Sequence, residues 1–400
     1  MGKRYRLHLF TANFPTGFGE SFLNNELPFL EKTFDEVTIY PHDKKDTQQK
    51  AFQNSSQVVC WQDDKKTEPL STADKLFLVN ILLKEFIQTP KKRVFLKRSR
   101  ELYAQLKNTM LLANWMKEER FSVDDLYYSF WMNEWALALA LAKKRGKNIR
   151  FVFRVNGYDI YSERHPGGYM PFQHFIYEQA DRIIPLSKTS EAYLKSKNIY
   201  PDKIKHSYFG TKDPGPIEDK KDNVFTVFSC SSAKPLKRLD KIAKVLSLLP
   251  FDVKWVHHGD GGTIKDVEKI VNTTGNIEFT LSSKVEDYNE VIRLQQKLVP
   301  DLFINLSTTE GLPITAMEAI SMGIPLLLND VGSCREYIVP ATGILVEPNE
   351  DEQTISEKIV NFREQQSAYS VEKIRAFWHQ NFSAEKKYSE FAKSLIKIIE

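Results

Sequence analysis

Cysteine is scarce in this 400-residue chain: Cys60, Cys230 and Cys334 lie far apart, without metal-ligand spacing and without the even count of a secreted disulfide framework. Reduced thiols in a cytoplasm fit that usage. Nowhere do about 18 or more apolar residues follow one another, which excludes a membrane-spanning helix. The amino-terminal MGKRYRLHLFTANFP carries charge but lacks the apolar stretch of a secretory leader, so export is not expected. Clustered Asp-x-Asp or His/Cys sets are missing too, so no metal and no other cofactor is expected. Charge of one sign is also in short supply, with 56 Lys and Arg against 52 Asp and Glu. Hydrophobic residues make up 42% and charged residues 27%, which is the composition of a folded globular protein rather than a disordered one.

What is present is alternation. Short β-branched or aromatic runs alternate with longer segments of helical period, the signature of βαβ units and a parallel sheet. In the first half, strands are expected at Arg6–Thr11, Val37–Tyr40, Leu126–Ser129, Arg150–Arg154, Arg182–Leu186 and Lys203–Tyr208, with a clear helix at Asn133–Lys144. The polar, Pro- and Gly-containing stretch Lys212-Asp-Pro-Gly-Pro-Ile-Glu-Asp-Lys-Lys-Asp222 then interrupts the period as a linker does. Beyond it, strands at Val224–Cys230, Val253–His257, Ile277–Leu281 and Leu302–Leu306 alternate with helices at Leu239–Leu249, Lys265–Asn272 and Tyr288–Gln296. The reading is an α/β chain of two doubly wound domains, 1–211 and 223–370, joined by 212–222. A helical tail, 371–400, carries Phe377, Trp378, Phe382, Tyr388 and Phe391 on a face to be buried, and is expected to return to the first domain.

The most informative run is Ile304–Asp330, which reads strand, loop, helix, strand. A loop at the carboxyl end of a parallel strand is where open α/β sheets bind ligands, and the following helix turns free N–H groups and its positive end toward that crevice. Gly311 lets backbone approach a ligand, Pro313 suits a first helical turn and Gly323 stops the helix. Glu310 precedes the helix and Glu318 lies about one turn inside it, so both can face the crevice. A carboxylate accepts hydrogen bonds from sugar hydroxyls, so one acid suits a hexose and the other a nucleotide ribose. The plainer reading of a lone acid there is charge complementing the helix dipole.

Glu310-Gly-Leu-Pro-Ile-Thr-Ala-Met-Glu318 resembles the E-x7-E signature of retaining glycosyltransferases of the GT-B fold, in the large family four, with Gly311, Leu312 and Pro313 in its EGLP core. Val331–Tyr337 and Thr342–Val346 resemble the segments that follow the signature, and His258-Gly-Asp-Gly-Gly262, with Gly259, resembles an earlier strand-end turn. Ser229–Asp240 is similar to the loop that carries an Arg and a Lys for the donor diphosphate. Lys237 matches the family lysine, Ser231 or Ser232 stands about where the arginine does, and Arg238 replaces a glycine and supplies a second charge.

In the first half, Gly17 and Gly19 resemble the family's amino-terminal glycine loop, with Glu20 opening the next helix. Phe153–Tyr161 resembles a strand-end motif in which a histidine precedes Gly-x-Asp. This sequence has Asn156, which can hydrogen-bond but cannot take a proton near neutral pH. Arg154 and Asp159 keep their places as acceptor-side residues, Arg164 and His165 are nearby polar candidates, and His174 and His206 are read as ordinary polar histidines.

The resemblance implies two Rossmann-like domains facing across a cleft, the donor nucleoside-diphosphate sugar on the carboxyl-terminal one and the acceptor entering from the other. It implies a glycan, glycolipid or glycoprotein acceptor, in cell-envelope or exopolysaccharide assembly. Glu310, Lys237, Arg238 and Asn156 then act in catalysis, and Glu318, Gly311, Leu312, Pro313, Gly17, Gly19, Ser232 and Gly259 hold the donor. Two other readings stand beside it: a non-catalytic partner that keeps the fold, and a nucleotide-sugar epimerase that needs no acceptor. Finally, the Leu-, Ile- and Phe-rich Lys75–Gln88 followed by the basic Lys91–Arg100 suits the anionic face of a cytoplasmic membrane, with a buried helix and a solvated one as the plainer reading. Nucleic acid is not expected, since no binding module accompanies the basic run.

Overall fold

The computed structural model describes residues 4–15, 20, 22–43, 56–60, 69–118, 122, 124–282 and 288–400. It divides into two compact units, residues 1–208 with 388–400, and residues 209–387. Gly17 and Gly19 lie outside the described residues.

The first unit contains strands β1 (Arg6–Thr11), β2 (Glu36–Pro41), β3 (Gln57–Val58), β4 (Leu126–Ser129), β5 (Arg150–Val155) and β6 (Arg182–Pro185), in the order β3-β2-β1-β4-β5-β6. The second contains β7 (Phe225–Cys230), β8 (Val253–His258), β9 (Ile277–Ser282), β10 (Leu302–Asn305), β11 (Leu326–Asn329) and β12 (Gly343–Val346), in the order β12-β11-β10-β7-β8-β9. Every pairing between these strands is parallel. Both orders are doubly wound: the chain lays strands outward in one direction, then returns to the middle and builds the other way. The reversal falls between β1 and β4 in one sheet and between β7 and β10 in the other. Helices cover both faces, so central strands such as β4 and β10 are buried along their whole length.

Local chemistry explains the helices. Asn133 caps Glu134–Lys144 by accepting from the Trp135 N–H at 3.0 Å, Glu134 sits in the first turn, and Lys143 and Lys144 in the last, which suits the helix dipole. Its Trp135–Ala142 stretch is entirely buried. Helix Thr72–Gln88 starts with a reciprocal box in which Ser71 and Asp74 each accept the other's backbone N–H.

Two expectations need correction. Lys203–Tyr208 is not a strand; it contributes a single bridge, Ile204 with Ile183, and the N–H groups of Lys205 and Ser207 then reach carbonyls of β6. The chain enters late through a left-handed Tyr200 and a turn at Pro201–Lys203, alongside a partner strand of four residues. The tail is two helices, Val371–Asn381 and Ala384–Ile399, not one. Between them Ser383 bridges Thr211, and the backbone of Gly210 lies so close to Ala384 that a Cβ there would sit 2.5 Å from the Ala384 Cα. Residues 371–387 cluster with the second unit and 388–400 with the first.

Arg154 illustrates how the first unit is held. It is fully buried, with its Nη2 3.1 Å from Glu26 Oε2, its Nε donating to the Tyr128 hydroxyl at 2.6 Å and its Nη1 to the Ser207 carbonyl at 2.8 Å. Tyr128 in turn donates to Glu26 Oε1 at 2.9 Å, and the guanidinium lies 3.9 Å from the Phe391 ring centre. A charge so enclosed is tolerable only because each guanidinium nitrogen meets an acceptor. Glu26→Ala should therefore lower the unfolding free energy by about 3–5 kcal/mol in urea titrations. A cost no larger than that of a surface substitution would show that Glu26 does not hold Arg154.

Candidate functional site

The carboxyl ends of β7, β10 and β11 meet at the reversal of the second sheet, and their loops are bonded to one another through the backbone. The N–H groups of Ser231 and Ala233 donate to the carbonyls of His258 and Asp260, that of Thr308 donates to Leu236, and that of Ser333 to Gly311. Such close approach leaves no room for side chains at two turns. A Cβ on Gly259 (φ +134°) would fall 1.9 Å from the Ser231 carbonyl oxygen, and one on Gly332 (φ +57°) 2.1 Å from that of Glu310.

Inside this frame Lys237 and Glu310 form an ion pair, Nζ to Oε1 at 2.6 Å, and Asn305 at the end of β10 donates from Nδ2 to the same oxygen at 3.0 Å. The Glu310 side chain is about one-tenth exposed and that of Lys237 about one-fifth, so the pair is desolvated yet reachable, at 10% and 19%. Next to it the Ser307 hydroxyl is buried with no hydrogen-bond partner among the described residues. The helix Ile314–Met322 follows, with Pro313 at its cap rather than inside its first turn, and Gly323 ends it at φ 91°. The first N–H groups of an α-helix have no intrahelical partner, and here they lie at the end that follows the loop of Gly311. Glu318 is 2% exposed on this helix.

Two thiols show how near these charges are to one another. Burial, reinforced by the negative charge of Glu310, pushes the Cys334 thiol up to about 12, while Lys237 pulls the other way. At the end of β7, burial and then Glu318 raise the Cys230 thiol, again opposed by Lys237. Glu310, Glu318 and Lys237 thus share one neighbourhood, and the same surroundings favour the protonated thiol at both cysteines.

The other expected donor residues fall around it unevenly. Leu312 is buried, Gly311 half-buried and Ser232 exposed on the loop after β7. Arg238 occupies a left-handed conformation (φ 51°) as the cap of helix Leu239–Ser247, and its guanidinium donates to the Pro348 carbonyl at 3.2 Å. It is therefore turned to the loop before residue 350 and not to Glu310.

A second concavity lies at the reversal of the first sheet. A cavity of about 380 Å³ is lined by Ala12, His42 and Asp43 after β1 and β2, Trp131, Asn133 and Glu134 after β4, and Asn156, Tyr158 and Asp159 after β5. The Asn156 Oδ1 is buried and has no hydrogen-bond partner among the described residues. Loss of hydration pushes the Asp159 carboxyl up to about 7, against the pull of backbone N–H groups of Asn156 and Met132. Asn156 and Asp159 are thus together. Arg154 belongs to the buried core described above, and the buried carboxylate of Glu20 accepts from the N–H groups of Ala12, Asn13 and Phe14 at 3.1, 2.8 and 3.0 Å, organising the loop after β1. His165 Nε2 meets the Tyr158 carbonyl at 2.7 Å and His206 pairs with Glu191, outside this cavity lining.

Sequence reasoning missed His42, Asp43, Trp131, Asn133 and Glu134, which line the cavity only because β2, β1, β4 and β5 are neighbours in that order. It also missed Asn305, whose position at a strand end was the one available signal.

Residues 215–378 match the family model described as glycosyl transferases group 1. Two curated Escherichia coli proteins, the O-antigen biosynthesis glycosyltransferase WbnH and the probable O-antigen biosynthesis glycosyltransferase WbiN, are each 34% identical over 135 residues, 32% of this chain. The match spans 37% of the length of those relatives. The fold is shared along nearly the whole chain with the lipopolysaccharide outer core galactosyltransferase WaaB, at TM-score 0.70 and 16% identity over 98% of this chain and 99% of that one. It is likewise shared with the sucrose-phosphate synthase of Thermosynechococcus elongatus, at 0.71 and 13% over 99% of each, and with Anabaena Alr3699/HepE in complex with UDP and glucose, at 0.66 and 15% over 98% and 99%. Residues 215–378, which span all six strands of the second parallel sheet, are thus the part of this chain that is similar to the glycosyl transferases group 1.

Proposed function

We propose that this protein is a retaining, family-four-type glycosyltransferase that moves a hexose-type sugar from a nucleoside-diphosphate sugar to an acceptor hydroxyl during O-antigen or related cell-envelope glycan assembly. The observation that carries the proposal is the Lys237–Glu310 pair, held by Asn305 beside the free end of helix Ile314–Met322. The O-antigen relatives support the glycan context, and the fold shared with HepE, whose structure holds UDP-glucose, supports the donor class.

Each group has a task in the transfer. As the bond between the sugar and the β-phosphate breaks, negative charge builds on the leaving diphosphate. Lys237 and the helix N–H groups behind Gly311 are already oriented to stabilise it, which costs no reorganisation at that moment. Glu310 then exchanges its lysine partner for sugar hydroxyls, and the Ser307 hydroxyl, which has no hydrogen-bond partner among the described residues, offers another contact there. Glu318 receives the ribose. Arg238, engaged with Pro348, enters this scheme only by changing its rotamer. No protein nucleophile is assigned; the acceptor oxygen attacks on the face the phosphate leaves, its new bond to the anomeric carbon replaces the sugar–phosphate bond, and its proton passes to the departing phosphate oxygen.

The acceptor belongs in the amino-terminal cavity. Trp131 offers an apolar ring face to a pyranose, and Asn133, Glu134 and the Asn156 Oδ1, without a hydrogen-bond partner among the described residues, offer hydrogen bonds to hydroxyls, the mixture that suits a glycan.

A thermal-shift screen of nucleoside diphosphates should raise the unfolding midpoint for one base above the others, since ligand binding only to the native state stabilises it. Glu310→Ala should reduce transfer by about 100-fold or more with the fold intact by circular dichroism. Lys237→Ala should mainly abolish the diphosphate-induced thermal shift. A Glu310→Ala protein that keeps most of its activity would refute the assignment. For Asp159, the native carboxyl holds its proton to higher pH than the unfolded one, so the native state binds more protons between about pH 4 and 7 and loses stability as pH rises through that window. Urea titrations of Asp159→Asn should show that slope flattened; an unchanged slope would mean that Asp159 titrates normally.

A further inference from the structure

We infer that the helix Thr72–Gln88, with the start of the helix Lys92–Glu118, is a docking face for an anionic lipid bilayer. Leu76, Val79, Leu83 and Ile87 recur at intervals of three, four and four residues, which places them on one stripe of the first helix, and they are 67, 45, 56 and 71% exposed. Leu96 on the second helix is 60% exposed. The opposite face of the first helix is the one that the fold uses: Leu78 and Ile81 are buried there, Asp74 pairs with Arg145, and Glu85 accepts from the Tyr169 hydroxyl at 2.6 Å. The stripe is therefore not left over from packing. The helix has two apolar faces and needs only one of them for its own stability.

Charge names the occupant. At about 100° per residue, Lys75 and Lys84 fall on either side of the stripe, where their stems can lie along apolar surface while the ammonium groups reach outward. Between Lys75 and Lys107 the sequence carries nine lysines and arginines against two glutamates. Glu85 is turned inward and Glu101 pairs with Arg98, so the exposed balance is almost wholly cationic. A second copy of the same face would bring like charges together, and a nucleic acid would leave the leucines in water. An interface of anionic headgroups over acyl chains satisfies both halves, the stripe entering the apolar boundary and the cations meeting phosphates. Among the described residues no helix is long and apolar enough to cross a membrane, so the contact is one of lying on a surface.

The test is cosedimentation of the full chain with vesicles of phosphatidylcholine alone and of phosphatidylcholine with about one-third phosphatidylglycerol, at low and high salt. The protein should pellet with the anionic vesicles, less so in high salt, and much less with the neutral ones. The double change Leu83→Ser and Ile87→Ser should lower pelleting about tenfold or more, and Lys92→Ser with Arg93→Ser should lower it while reducing its salt dependence, both with unchanged circular dichroism. Absence of pelleting with anionic vesicles, or pelleting of the serine variants equal to that of the parent, would overturn the inference. So would sedimentation velocity that shows a dimer lost in the Leu83→Ser and Ile87→Ser variant, which would make the face a contact between copies.

Discussion

In a sheet whose strands all run the same way, every strand must be left at one edge and re-entered at the other. All carboxyl ends therefore open along a single edge, and where the strand order reverses, two successive loops leave in opposite directions and a gap remains between them. This constraint governs both halves of the protein. In the second sheet the gap lies between β7 and β10, and Lys237 and Glu310 come one from each side of it. In the first sheet it lies between β1 and β4, and the cavity lined by Ala12, Trp131 and Asn156 occupies the corresponding place. The chemistry differs because the loops differ; the position does not.

Two ion pairs show how burial sorts similar chemistry into structure and function. Arg154 and Glu26 are enclosed on all sides, and every polar group of the guanidinium that can be traced meets an internal acceptor. Such a pair contributes a fixed arrangement of strands and offers nothing to a substrate. Lys237 and Glu310 are only partly enclosed, and Ser307, tied through its N–H to the Asn305 that holds Glu310, carries a hydroxyl with no hydrogen-bond partner among the described residues. In the proposed transfer the Glu310 carboxylate trades its lysine for sugar hydroxyls at small net cost, because both states satisfy the charge. The loops that carry the pair do not need to move for this, since they are already tied to one another by backbone hydrogen bonds at glycines where no side chain fits.

Much of this was legible in the chain. Strands buried on both faces read as continuous apolar runs, and helices as amphipathic or capped segments, so β1 and β4 agree with expectation to the residue and most others within one or two. The signature from Glu310 to Glu318 was legible because its residues are consecutive. Where reading failed, a distant partner was responsible. Ser383 divides the terminal helical stretch because its backbone pairs with Thr211, and nothing within 371–400 announces that contact. Arg154 followed a motif that points to a site, yet Glu26, 128 residues earlier, draws it into the core.

The sequence by itself determined the periodicity, hence two doubly wound sheets, and the local motif from Glu310 to Glu318, because both depend on neighbours within a few positions. Only the tertiary structure decided which loops share a crevice, which charges are enclosed and which remain reachable. It also separated the two apolar faces of helix Thr72–Gln88 into one that is covered and one that is not. Composition cannot make that distinction, because burial is a property of what arrives from elsewhere in the chain and not of the residue that is covered.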